Sequence, residues 1–227
     1  MKTPKENFDL NIKRVDNLLK IFDATKQTVS KSDDKNKAEL EAENFDILRA
    51  VVVFLHSAFE NYFRTVIIDR LKTDEKLKLP NIGLPNDKTK AEKFYVSQLV
   101  GYKDKNVKSL INESIEFYMG KESFSKFEVI ASWAEKLCLN IDEFKRNKKN
   151  IDTLDEMIKR RHKIVHEADQ KQRKNANENN DQLESQSIPK QINRKTVDDW
   201  KKVVIQLVDC IEAQLVIRDV GQQIETN

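Results

Sequence analysis

The sequence predicts an all-α protein: an antiparallel four- or five-helix bundle with a short helical insertion and a long polar loop before its last helix. Three observations point there. Helix breakers are scarce, with four glycines and four prolines in 227 residues. The segments between those breakers are rich in Glu, Lys, Leu and Asp, a composition of long helices. Apolar residues within them recur at spacings of three and four, the period of one helix face.

From about Glu6 to Val29, Phe8, Ile12, Val15, Leu18, Leu19 and Phe22 keep that period. The tract SKSDDKNKAE, from Ser30 to Glu39, reads as a solvated loop. A second long helix is expected from about Asn44 to Leu71, with Leu48, Val52, Leu55, Phe59, Tyr62 and Val66 on its core stripe. PNIGLPNDKTK then breaks the chain with two prolines and a glycine. Between Ala91 and Asn140 the pattern predicts three shorter helices, interrupted near GYKDKN and YMGKES. Leu110, Ile111, Phe117, Phe124, Phe127, Ile130, Trp133 and Leu137 would supply their core contacts.

A further helix is predicted from about Ile151 to His166. The segment from Asp169 to Arg194 has almost nothing to bury and reads as a mobile loop. Thr196 and Asp199 form a plausible capping box for the last helix, whose stripe of Val197, Trp200, Val204, Leu207, Ile211 and Leu215 runs to about Val220. There is no internal repeat. Residues 1–227 therefore read as one domain, with inserted helices at about 91–140 and the polar loop at about 169–194.

Composition removes several function classes. The formal net charge of +3 is too small to argue for nucleic acid by itself, so the distribution of charge has to carry any such argument. The two cysteines, Cys138 and Cys210, are far apart and form no CxxC pair, so neither a zinc site nor a disulfide framework is expected. MKTPKENFDL has no apolar core of a signal peptide, and no apolar run approaches the roughly 18 residues that a membrane span requires. A cytoplasmic protein without membrane contact is the expectation.

One stretch departs from the pattern. In MIKRRHKIVHEAD, Met157 to Asp169, the spacing 151, 154, 158 places the next inward positions at 161 or 162 and then 165, yet Arg161 and His162 stand there. Burying an unpartnered arginine costs several kcal/mol. One reading is an arginine paired with an acidic residue of a neighbouring helix. The other is a functional site. His162 and His166 lie four apart, so both rings face the same way. They are flanked by FKRNKK and KRRHK, which hold eight Lys and Arg between them. Guanidinium donates paired hydrogen bonds to phosphate oxygens, and imidazole moves protons near neutral pH. On RNA the 2′-hydroxyl is a nucleophile already in place, so such chemistry needs neither metal nor cofactor.

These residues resemble the HEPN superfamily, helical bundles marked by Arg, four to six residues, then His. RHKIVH carries Arg161, the polar His162, the apolar Ile164 and Val165, and His166. RAVVVFLHSAFENYFRTVI, Arg49 to Ile67, is similar to the second helix of the RiboL-PSP branch, with an apolar run, a small residue, then Glu and an aromatic. The resemblance implies a metal-independent endoribonuclease, often a toxin or antiphage effector, that binds RNA and dimerises so that two motifs meet. An antitoxin or other regulatory protein would be its partner. Carried over by residue, Arg161 would engage the scissile phosphate, His166 would be the catalytic histidine and His162 would assist. Arg160 and Lys163 are candidates for backbone phosphates. Arg161 and His166 stand about 140° apart on an ideal helix, so either the helix frays near Val165 or the cleft uses two chains.

On the second helix His56, Glu60 and Arg64 make one polar strip. Glu60 there either forms an ion pair with Arg64 or reaches Arg161 to orient it. Two alternatives to the enzyme stand beside it: a HEPN-like RNA-binding or protein-interaction module without chemistry, and a purely structural bundle.

Overall fold

The computed structural model describes residues 2–29, 34–74, 77, 82–85, 99–166 and 192–225. Among these are seven α-helices and no strand: α1 (Pro4–Val29), α2 (Asp34–Thr73), α3 (Val107–Lys121), α4 (Phe127–Lys136), α5 (Asp142–Arg146), α6 (Lys148–His166) and α7 (Arg194–Glu225). A single 3-10 turn spans Val100–Tyr102. The predicted all-α class is what the chain adopts. The expected helix just after Ala91 and most of the polar loop after Asp169 lie outside the described residues.

Packing divides the chain into two compact units, Met1–Phe59 with Ile141–Asn227, and Glu60–Asn140. In the first unit, α1 and α7 run antiparallel. Ion pairs link Lys5 to Asp209 at 3.7 Å, Asp16 to Lys201 at 2.6 Å and Asp23 to Arg194 at 3.3 Å, so the numbers fall along one helix as they rise along the other. Each such exposed pair is worth well under about 1 kcal/mol and serves mainly to set register. Phe8, Val15 and Leu19 of α1, Leu48, Val52 and Leu55 of α2, and Val197, Val204, Leu207 and Ile211 of α7 are buried. α5, α6 and α7 pack on one another. Asn150 of α6 donates to Gln206 of α7 at 3.3 Å.

The second unit is closed by one arginine. Arg64 of α2 donates to the carbonyls of Met119 and of the C-cap residue Glu122 (3.0 Å for the latter), at the end of α3, where Met119 also accepts from the Glu122 amide. It pairs with Glu60 at 2.9 Å and lies over the Phe124 ring, whose partner Phe63 sits edge-on at 5.2 Å. At the other end of α3, Asn106 accepts from the Ser109 amide at 2.7 Å, a side-chain N-cap. Trp133 of α4 is buried and donates to a Glu122 carboxylate oxygen at 3.4 Å. α4 ends at Leu137 with Cys138 at φ 53°. The Cys138 and Leu139 amides donate to Glu135 and Ala134, the paired bonds of a left-handed helix stop.

Several expectations change. α2 begins at Asp34, so the tail of the polar tract read as a loop is already helical. Capping of α7 comes from Asn193, whose Oδ1 accepts from the Thr196 amide at 2.8 Å, and not from Thr196 with Asp199. Ile111 is exposed, while Ile115 and Met119 carry the core face of α3. By length and composition alone Leu40–Thr73 would suffice to cross a membrane, but 56 % of its most apolar window is buried inside the protein, as in a core helix.

Candidate functional site

α6 is built to stand as a helix. Asp152, Asp155 and Glu156 lie in its first half, and Lys159, Arg160, Arg161 and Lys163 in its second. Only Lys163 and His166 lie in the last turn, where positive charge suits the helix dipole, while the first turn has no acidic residue and opens on Lys148 and Lys149. The dipole therefore leaves most of the basic run unexplained. Leu154, Met157 and Ile158 are buried and anchor the helix in the first unit.

The inward line follows the one drawn from sequence only in part. Of the two positions that the spacing allows after the buried Ile158, the structure turns Arg161 inward and leaves His162 and Val165 outside, and a second line of steps of three, Leu154, Met157 and Arg160, is buried beside it. Arg160 is 7 % exposed, Arg161 is half-buried, and His162 and Val165 are exposed. Arg160, a candidate for backbone phosphates, is therefore the buried arginine, and the protein engages it internally. Arg161 has its Nε buried without a hydrogen-bond partner.

His162 and His166 both face solvent, with ring centroids 4.6 Å apart and planes tilted by 43°. The i, i+4 spacing thus does bring the two imidazoles together. Lys163 is exposed beside them. The helix is regular through His166, so no fraying near Val165 turns that ring toward Arg161. Within one chain Arg161 points toward the core side of α6, and His166 points away from it.

The strip expected on α2 does not form as one. His56 is 3 % exposed and belongs to the core. Glu60 and Arg64 do pair, and Arg64 spends its other donors on the end of α3. This arrangement accounts for Glu60 without any task at Arg161.

Sequence reasoning missed a cavity of about 310 Å³ beside the motif. Its walls include Lys159, Arg160 and Lys163 of α6, the cap residue Asn193, and Thr196 and Trp200 of α7. Trp200 is buried, as its place on the α7 stripe predicts, but its Nε1–H has no hydrogen-bond partner among the described residues. The one sequence signal was Asn193, three residues before Thr196, which fixes where α7 starts. Among the described residues no three His, Cys, Asp or Glu side chains group to hold a metal ion.

A family model described as RiboL-PSP-HEPN matches residues 9–216, a span that contains both the second-helix pattern and the Arg-His motif. No curated protein and no solved structure matches the chain.

Proposed function

Because the chain belongs to the RiboL-PSP-HEPN family of the HEPN superfamily, we propose that it is a metal-independent endoribonuclease, acting as a toxin or antiphage-defence effector. Membership itself carries the broader statement, a nuclease- or RNA-related role. The observation that carries the finer reading is the exposed imidazole pair, His162 and His166 at 4.6 Å, on the helix that also bears Arg161.

In this reading one imidazole takes the proton from a ribose 2′-hydroxyl as its oxygen attacks the adjacent phosphorus. The bond from phosphorus to the 5′-oxygen breaks, and that oxygen receives a proton. A 2′,3′-cyclic phosphate and a 5′-hydroxyl result, with no water consumed. His166 is the principal catalytic histidine and His162, within ring contact, assists it. Arg161 stabilises the charge that builds on the phosphate oxygens. Lys163 holds the neighbouring backbone. Since Arg161 and His166 leave α6 on different sides, the complete site draws them from two copies of the chain, and RNA lies where two motifs meet. A regulatory partner such as an antitoxin would cover that surface.

The same divergence of Arg161 from His166 favours a second reading, an RNA-binding module without cleavage. End-labelled single-stranded RNA with purified protein in EDTA separates the two. Cleavage to cyclic phosphate by the wild type, lost in folded His166→Ala and Arg161→Ala, supports the enzyme. Tight binding with no cut supports the module. Equal cutting by all three proteins removes both histidine and arginine from the mechanism.

A further inference from the structure

The cavity between α6 and α7 has features of a ligand site. Its volume of about 310 Å³ is at the lower end of the roughly 300–1,000 Å³ typical of small-molecule pockets. Lys159, Arg160 and Lys163 face it, against the single carboxylate of Glu156. No ion pair among the described residues engages Lys159 or Lys163. The opposite wall begins at the N-terminus of α7, where the helix dipole favours negative charge, although the Thr196 amide there is taken by the Asn193 cap. The independent mark is Trp200. It is 3 % exposed and lines this cavity, yet its indole N–H is buried without a partner. A buried donor left unsatisfied costs about 1–3 kcal/mol, so a native site that keeps one points to an acceptor supplied from outside.

We propose that this cavity is a phosphate-binding subsite, in which Lys159 and Lys163 neutralise the anion and the Trp200 indole donates to one of its oxygens. Three of the lining side chains are cations and one, Glu156, is an anion; the Asn193 oxygen is already accepting from the Thr196 amide and hydroxyl. An anion gains from the two ammonium groups what a neutral ligand would not. Phosphate reaches such a site either as part of an RNA backbone or on a free nucleotide. Lys159, Lys163 and His166 follow one another at i, i+4 and i+7 along one side of α6, which places the cavity next to the imidazole pair. Assigning the phosphate to RNA rests on the proposed function. The site itself does not.

The test uses Trp133→Phe, in which Trp200 is the one remaining tryptophan. Sodium pyrophosphate is titrated against sodium chloride of equal ionic strength while Trp200 fluorescence is followed. Saturable quenching is expected. It should weaken by about tenfold or more, about 1.4 kcal/mol, in Lys159→Gln/Lys163→Gln, both of whose changed side chains are exposed in the wild type. Calorimetry on Trp200→Phe should show the same direction of loss. No saturable response, or one that the lysine changes leave intact, overturns the site. A fully 2′-O-methylated RNA, which cannot be cut, then assigns the source. Weaker RNA binding by the double variant places the phosphate in the RNA backbone, and unchanged RNA binding places it on a free nucleotide. Because no arm measures cleavage, a protein that binds pyrophosphate here and cuts nothing would sink the ribonuclease and keep the subsite.

Discussion

Replacing Arg64 by methionine keeps the unbranched apolar stem of the side chain and removes all its donors. The structure allows the loss to be worked out. Two carbonyls at the end of α3 lose a charged donor, the ion pair with Glu60 disappears, and so does the cation over Phe124. A hydrogen bond to a charged group is worth about 1.5–3 kcal/mol when well buried. Arg64 and Glu60 side chains are about one-fifth exposed, 22 % and 21 %, so water compensates part of this and the lower end applies. With small contributions from the pair and the ring, the second unit should lose about 3 kcal/mol. At a urea dependence of about 1.5 kcal/mol per molar, that moves its midpoint by about 2 M. Trp133 reports on this unit once Trp200→Phe has removed the other tryptophan, and its buried indole on Glu122 should give a large fluorescence change. A shift below about 0.5 M would refute the claim that Arg64 closes the unit. RNA cleavage below the transition should survive in Arg64→Met. Its loss in a fully folded variant would mean that Glu60 and Arg64 belong to the chemistry.

Other outcomes follow from the same geometry. Arg160→Ala should cost about 2 kcal/mol from its buried stem alone, while Arg161→Ala, half-exposed and with an unpartnered Nε, should cost under about 1 kcal/mol yet silence cleavage; thermal unfolding in the reverse order would show that the inward line was misread. Cys138→Gly should stabilise the second unit by up to about 1 kcal/mol, because φ 53° is strained for any residue with a Cβ and glycine's extra chain entropy offsets only part of that. A lower denaturation midpoint would contradict this. Iodoacetamide at mildly alkaline pH should label exposed Cys138 well before Cys210. Burial pushes the Cys210 thiol up, against a smaller lowering by the Phe144 backbone hydrogen bond, so less thiolate is present at any given pH. Mass spectrometry showing equal rates would place Cys210 nearer the surface.

The helical class and most core positions were legible because the long helices keep a strict period. Val15, Leu48, Val52, Leu55 and Val204 are all buried as their spacing demands. The face of α6 was not legible, since Met157 and Ile158 are adjacent and either can begin the next step inward. Spacing alone cannot choose between a line through Arg160 and Arg161 and one through His162. The meeting of His162 with His166 was legible, because an i, i+4 pair depends on one helix only. Arg64 at the end of α3 and Trp200 beside Lys163 were not, for these contacts join residues more than thirty apart and leave no local pattern. The cap of α7 was missed by three residues, because Asn193 and Thr196 are both good N-cap residues and only packing decides.

The pairing of α1 with α7 has a consequence for how the chain is made. Residues 60–140 form an uninterrupted segment and can fold as soon as they leave the ribosome. The unit that holds α6 combines Met1–Phe59 with Ile141–Asn227, and the partners of Lys5, Asp16 and Asp23 all lie in α7. During translation, α1 waits for a helix almost two hundred residues downstream, and the histidine pair has no finished scaffold until that helix emerges. The order of synthesis therefore withholds the completed first unit until α7 has emerged.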